Sequence, residues 1–280
     1  MRTTYLVTGS TSKTGKCLSR LAALSVLAVM SISSLFAAIG DVALDPYTSQ
    51  QHITPEFDYL HIDREVDEYA EVAQTDYRKF REGVNSYFQE SFTNAINILL
   101  PLAKRNNASA QFYVALMYDQ GHGVIKNYAI AAYWYKRAAR QGHIDAQYNL
   151  GIAYASGQGV KHSVRQAIHW WKSAALKGSV DAQYNLGMVY TTGKGVEKNA
   201  ELAARWWEKA ADKGDAAALF NLGVLYVNGG KGLQRNLCKA GRMWKQSAEQ
   251  GFSRAKSALR MLQAMGKGRR VESCWNTAKN

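Results

Sequence analysis

Proline, cysteine and clustered histidine are all scarce in this sequence. Only 3 of its 280 residues are proline, so long helices can form without interruption. Apolar residues make up 47% of the sequence, which suffices for a continuous helical core. The six histidines are scattered with no metal-ligand spacing, so we expect them at the surface. They are His52, His61, His122, His143, His162 and His169. We therefore predict a helical protein with no catalytic residues, no metal and no cofactor.

Short matches to catalytic motifs occur, but their context is wrong. Residues 5–16 imitate the glycine-rich turn of a nucleotide-binding fold, yet Ser12 interrupts the glycine pattern and no alternating strands and helices follow. One Ser-x-x-Lys match, at Ser10, lies in a segment predicted to be removed, and the other, at Ser253, lacks the companion motifs of penicillin-recognising enzymes. We interpret all of these as accidental.

Residues 1–40 have the composition of a secretory signal peptide. Residues 1–20 carry four bases and no acid, and residues 21–39 carry no charge. Small residues at Ala38 and Gly40 predict cleavage after Gly40, and hence an exported protein that is periplasmic or secreted. The apolar run is also nearly long enough to span a bilayer. The alternative is therefore an uncleaved inner-membrane anchor, with the repeats facing the periplasm.

An acidic segment follows, although the whole chain has a formal net charge of +13. Residues 41–76 contain ten acids, one base and no repeat, which predicts an extended or partly helical N-terminal arm. The positive charge therefore belongs to residues 77–280 and to the first 20 residues. The mature protein is predicted to be a basic body with an acidic leader.

One 36-residue pattern fills most of the remaining sequence. Alanine and tyrosine both recur at this interval, which indicates a stacked array of repeats. The positions are Ala110, Ala146, Ala182 and Ala218, and Tyr118, Tyr154, Tyr190 and Tyr226. An extra residue in the fourth unit, within Gly229–Gly232, shifts the later positions to an interval of 37.

Each repeat has the pattern of a helical hairpin. In one unit, Leu150 and Tyr154 follow Ala146 at helical spacing, and Trp171 and Ala175 share one face of a second segment. A Gly-x-Gly-Val loop joins the two segments, because glycine accepts the positive φ that such a reversal requires. Residues able to cap a helix stand at the start of every second segment. These are Asn127, Ser163, Asn199 and Asn236.

These residues resemble the Sel-one-like repeat, a branch of the tetratricopeptide superfamily. The resemblance rests on Ala-Gln-Tyr-Asn-Leu-Gly-x-x-Tyr, Gly-x-Gly-Val and Ala-x-x-Trp-Trp, and it covers residues 108–265. It departs at Ala115, Met243 and the widened fourth loop, all in outer units. The resemblance implies an all-α fold, a right-handed solenoid of helical hairpins, with the repeat tryptophans packed in its core. They are Trp134, Trp170, Trp171, Trp206, Trp207 and Trp244.

The array is flanked by less regular segments. Residues 77–107 predict a degenerate first hairpin with a turn at 89–91, and Pro101 should kink its second helix or end it soon after. Apolar residues from Ala255 to Leu262 predict a capping helix, before a basic tail at residues 266–280. In an exported chain, Cys238 and Cys274 are expected to form a disulfide, and two unpaired thiols are the alternative.

The resemblance places the candidate binding residues on the first helices, which line the concave side of a tetratricopeptide stack. Aromatic and apolar side chains there would anchor a partner, and amides would bond to a peptide backbone. The alternative is that both only hold the helices together. The predicted partner-binding residues are Phe112, Tyr148, Asn149, Ile152, Tyr184, Asn185, Met188, Phe220 and Asn221, with Leu116 and Val224 at equivalent positions.

The resemblance implies an interaction protein and not an enzyme. We expect an exported scaffold or adaptor that binds a protein or peptide partner and no nucleic acid, with membrane contact only if the N-terminal segment is uncleaved. Two alternatives stay open. One is a β-lactam-binding or hydrolysing protein, as among cysteine-rich relatives, although those carry a cysteine pair in each repeat and this chain does not. The other is a binder of anionic glycan or membrane surface through the basic array.

Overall fold

The fold consists of α-helices joined by short turns. The computed structural model describes residues 59–264, with side chains from residue 70 onward, and this part of the chain forms eleven helices. They are α1 (Tyr59–Phe88), α2 (Phe92–Lys104), α3 (Ala108–Gln120), α4 (Tyr128–Arg140), α5 (Ile144–Ser156), α6 (Val164–Leu176), α7 (Val180–Thr192), α8 (Ala200–Ala211), α9 (Ala216–Asn228), α10 (Leu237–Glu249) and α11 (Ser253–Ala264). The predicted signal segment, residues 41–58 of the predicted arm and the tail with Cys274 lie outside the described residues.

The four predicted helical hairpins are confirmed, and together they build a solenoid. They are α3 with α4, α5 with α6, α7 with α8, and α9 with α10. Each hairpin packs its second helix against the first helix of the next, and α11 packs on α10. Fully buried leucines mark the core of this stack: Leu99, Leu150, Leu186 and Leu222.

The chain divides into two compact units, residues 1–78 and residues 79–280. In the first unit, the described residues 59–78 are helical, which agrees with a partly helical arm. The second unit contains the array. Its predicted turn follows Phe88, with Ser91 at the N-terminal cap position of α2, and α2 ends at Lys104, shortly after Pro101 as predicted.

Side chains cap the helices at both predicted and unpredicted positions. The predicted caps are confirmed: each of Asn127, Ser163, Asn199 and Asn236 accepts a hydrogen bond from a backbone N–H in the first turn of its helix. The first helices have caps as well, which sequence reasoning missed. These are Asn107, His143, Ser179 and Asp215.

Two histidines expected at the surface are instead half-buried. His143 is the cap of α5: its Nδ1 accepts from the backbone N–H of Ala146 at 3.3 Å, and its ring stacks on Phe112 at 4.6 Å. His122 stacks on Phe92 at 4.2 Å and shares a 3.2 Å hydrogen bond with Tyr87. The expectation was wrong for both, because an imidazole combines a hydrogen-bonding nitrogen with a flat face that packs on an aromatic ring. Burial lowers the pKa of His143.

A glycine and a tryptophan interlock within each of the last three hairpins. Gly187 faces Trp207 across the hairpin, and a Cβ on that glycine would overlap the indole ring. The indole Nε1 donates to the carbonyl of Tyr184 at 3.1 Å. The pairs Gly151 with Trp171 and Gly223 with Trp244 repeat this arrangement, with hydrogen bonds of 3.2 and 3.0 Å to the carbonyls of Tyr148 and Phe220.

The first hairpin departs from this interlock in both residues at once. Ala115 stands where the other hairpins have glycine, and Tyr135 stands where they have tryptophan. Both are buried. Because a phenol ring is smaller than an indole ring, it leaves room for the methyl group. The departure at Ala115 is thus matched by a change in the residue that faces it.

The predicted core position of the repeat tryptophans holds for four of the six. Trp134, Trp171, Trp207 and Trp244 are buried. Trp170 and Trp206 are partly buried and pack against the same core clusters. The second tryptophan of each pair is therefore the deeper one.

Buried glutamines join successive hairpins. The side-chain Nε2 of Gln111, Gln147 and Gln183 donates to a backbone carbonyl near the end of the preceding helix, in each case at 3.0 Å. The acceptors are Ala103, Ala139 and Ala175. Each of these carbonyls also accepts a backbone N–H from the turn that follows its helix, so the glutamine adds a second hydrogen bond that links one hairpin to the next and stabilises their stacking.

Candidate partner-binding surface

The predicted binding residues lie together on one side of the first helices. We call the surface that they form the first-helix face. In α5, α7 and α9 it repeats three positions, namely an aromatic residue, the residue after it, and a residue one turn later, and α3 contributes the first and the third of these. The face consists of Phe112, Leu116, Tyr148, Asn149, Ile152, Tyr184, Asn185, Met188, Phe220, Asn221 and Val224.

The residues one turn after the aromatics are the most accessible. Ile152, Met188 and Val224 are 36%, 38% and 36% exposed, which is high for large apolar side chains inside a packed array. Since the same position is exposed in three successive hairpins, the apolar side chains form a row along the stack. Such a row is suited to anchor an apolar segment of another molecule.

The aromatic residues of the face are half-buried and pack inward. Phe112 stacks on His143, and Phe220 lies 5.3 Å from the ring of Phe252. Tyr184 lies 6.4 Å from Trp207. One side of each ring therefore fills the core while the other side remains at the surface. The two roles weighed from the sequence, packing and binding, are both compatible with this geometry.

Two asparagines of the face connect neighbouring repeats. Asn221 donates from Nδ2 to the hydroxyl of Tyr184 at 3.1 Å. Asn185 makes the equivalent bond with Tyr148. Burial raises the pKa of Tyr148, and the carboxylate of Asp181 adds to that rise. Asn221 Nδ2 also donates to the sulfur of Met188 at 3.9 Å. These amides fix the repeats together, while their carbonyl oxygens can still accept hydrogen bonds from a ligand.

Within each hairpin, the lysine and arginine residues of the helices lie on the second helix. The first helices α3, α5, α7 and α9 contain no lysine or arginine, and the acids Asp145 and Asp181 lie in the first turns of α5 and α7. Each second helix, α4, α6, α8 and α10, contains two or three bases, which two glutamates balance in α8. The first-helix face is therefore neutral to acidic, although the protein as a whole is basic. Counting charges separately for each helix would have revealed this from the sequence.

Two cavities near the end of the array were not predicted. One, of about 720 Å³, lies between α8, α9 and α10, and its walls mix the acids Glu208 and Asp212 with Lys239 and Arg242. Tyr226 in its wall donates to Glu208 at 3.0 Å, and burial, followed by this carboxylate, raises the pKa of Tyr226 to about 12. The other cavity, of about 560 Å³, is an apolar groove beside α11.

The described residues 59–264 show neither a metal cluster nor a membrane-spanning helix. No three of their His, Cys, Asp and Glu side chains come together to hold a metal ion. None of their helices has the length and apolarity needed to cross a bilayer. The apolar run at residues 21–39 lies outside this part of the chain.

Comparison with known proteins identifies the repeats. The Sel1 repeat matches at residues 108–143, 144–179, 180–215 and 216–252. A Sel1 repeat protein from Oxalobacter formigenes is 30% identical with a TM-score of 0.63, and the similarity covers 71% of this chain and 80% of that one.

A second similar structure is c5321, a protective antigen of uropathogenic Escherichia coli strains that displays an SLR fold. It is 28% identical with a TM-score of 0.66, over 76% of this chain and 49% of that one, so this chain spans about half of its length. A comparison with functionally curated proteins finds no match. Four consecutive repeat matches, a relative at this identity and the hairpin geometry agree, and the chain belongs to the Sel1 repeat family.

Proposed function

We propose that this protein is an exported, non-catalytic scaffold that binds a segment of a partner protein on its first-helix face. Sel1 repeat proteins are generally scaffolds for interactions between proteins. The observation that carries the proposal is the exposed row of Ile152, Met188 and Val224, flanked by asparagines whose carbonyl oxygens can accept hydrogen bonds. Apolar anchors with regularly spaced amides suit a peptide whose backbone is accessible.

The charge on the first-helix face limits which partner segments can bind there. Without a lysine or arginine on α3, α5, α7 or α9, and with Asp145 and Asp181 at the edge, the face repels acidic segments weakly and attracts basic ones. We infer a partner segment that is apolar and uncharged or basic. Such a segment would stay bound at moderate salt, because burial of apolar surface is not screened by ions.

Export of the protein is part of the proposal. The basic and apolar composition of residues 1–40 supports it, and so does the description of one relative as a protective antigen. In that compartment we propose a disulfide between Cys238, in the first turn of α10, and Cys274. Forming it removes two protons and two electrons from the two thiols, and a disulfide oxidant of the compartment accepts them.

A capture experiment with two matched variants tests the binding surface. Met188→Lys places a charge in the middle of the face, whereas Leu176→Lys changes an apolar residue that is 73% exposed on the second helix α6. A partner captured from an envelope fraction by the wild type should be retained by Leu176→Lys and lost with Met188→Lys, and it should resist moderate salt. Equal capture by both variants would place the partner elsewhere.

A further inference from the structure

The apolar groove at the C-terminal end of the array extends beyond the first-helix face, with which it shares Phe220 and Val224. Its volume is about 560 Å³. We call it the terminal groove, and its apolar walls are Phe220, Val224, Leu237, Trp244, Met261 and Leu262. Arg235 is the charged residue of its lining. Apolar walls of this extent normally contact another apolar group.

The groove exists because α11 begins a fifth repeat without a partner helix in the described residues. Met261 follows Val224 by the same 37 residues that separate Ala218 from Ala255, so it occupies the next position in the exposed row. It is 67% exposed. The outer surface of α11 is mostly polar, as is usual at the end of a helical array, but the groove beside it is lined mainly by apolar side chains. A segment that covers this groove would remove its apolar surface from water.

We propose that residues 265–280 of this chain fold back and insert Trp275 into the terminal groove. This segment continues directly from α11, which is itself one wall of the groove. Trp275 is its single aromatic residue. An indole ring buries about 150–250 Å² of surface, which is the right scale for a groove of this volume.

The reach and the charge of the segment both fit this position. Extended chain from Ala264 to Cys274 spans up to about 33 Å, which is ample to return across the adjoining helices. Glu272 is the segment's single acidic side chain, and Arg235 is available to pair with it. Lys267, Arg269 and Arg270 come earlier in the segment and can stay in water. Cys238 directly follows Leu237 of the groove wall, so a disulfide to Cys274 would hold Trp275 in place.

This closure would define the end of the partner-binding surface. Phe220 and Val224 belong to both the first-helix face and the terminal groove. With Trp275 seated there, a partner would use the face from Phe112 to Met188. That consequence rests on the proposed function, whereas the insertion of Trp275 does not.

Photo-crosslinking of the full chain tests the insertion directly. Trp275 is replaced by the photoreactive residue p-benzoylphenylalanine, and crosslinked peptides are identified by mass spectrometry. We expect crosslinks within one chain to the peptides that contain Val224 or Met261. Crosslinks to other regions would overturn the proposal, and crosslinks between two chains would do so by making a second copy the occupant.

Hydrogen exchange gives a second test that needs no crosslink. In full chains carrying Cys274→Ser, so that no disulfide contributes, Trp275→Ala should speed amide exchange in α11 roughly tenfold, because α11 loses a packing partner. Asn276→Ala is the matched control and should leave the exchange unchanged. Equal exchange in the two variants would overturn the proposal. Neither test involves the partner, so their failure leaves the proposed function standing.

Discussion

Replacing Gly187 by alanine tests the interlock between glycine and tryptophan. In an ordinary helix this change stabilises folding by about 1 kcal/mol, because alanine is the better helix former. Here the added methyl group would overlap the indole ring of Trp207. Relieving the overlap costs about 1–3 kcal/mol, and disturbing the hydrogen bond from Trp207 to the Tyr184 carbonyl adds about 0.5–1.5 kcal/mol. After the helix gain is subtracted, we expect the free energy of unfolding to fall by about 0.5–3.5 kcal/mol.

The first hairpin supplies the compensating change. Ala115 and Tyr135 coexist there in the buried core, so Trp207→Tyr should make room for the methyl group that Gly187→Ala adds. Alone, Trp207→Tyr should destabilise the protein, since it shrinks a buried ring and removes the indole donor. In the double variant the two losses should not add. We expect a favourable coupling energy of about 1–3 kcal/mol between the two sites.

Urea unfolding followed by far-UV circular dichroism measures this cycle. The four proteins are the wild type, the two single variants and the double variant. The urea concentration at the midpoint of unfolding is compared among them, with the dependence of the unfolding free energy on urea concentration the same in all four. If Gly187→Ala is neutral or stabilising, the overlap is absorbed elsewhere and the interlock is not a constraint. Additive single losses, within about 0.5 kcal/mol, would likewise refute a direct contact between the two side chains.

Two further predictions concern protonation and processing. His143 caps α5 as a neutral acceptor, and burial lowers its pKa. The stability that this cap contributes is therefore present above the unfolded pKa of His143 and is lost as the pH falls through the folded pKa. His143→Asn, an equally good cap that does not titrate, should remove that part of the acid sensitivity in thermal melts. Intact-mass measurement of exported protein should give a chain that begins at Asp41, and a retained leader would refute this cleavage. Alkylation under denaturing conditions should find no free thiol until a reductant is added, and two alkylated cysteines would refute the disulfide.

The sequence predicted where the candidate residues lie, and their binding role stays a prediction. The repeat spacing placed the aromatic residue and the apolar residue four positions later on one side of each first helix, as with Tyr148 and Ile152, because residues four positions apart share a side of a helix. The bonds from Asn185 and Asn221 to tyrosines of the preceding repeat were not predictable in the same way. They join residues 37 positions apart, and their geometry depends on how two hairpins stack.

The sequence by itself determined the hairpins, their boundaries and the order of the array. Apolar periodicity, asparagine and serine caps and loop glycines act within a few residues, so each repeat specifies its own local structure. Only the tertiary structure decided which residue of each tryptophan pair is buried, that His143 is a cap packed on Phe112, and that an apolar groove lies beside α11. These features arise where one hairpin meets the next, and exposure at such a contact depends on the neighbouring repeat as much as on the residue itself.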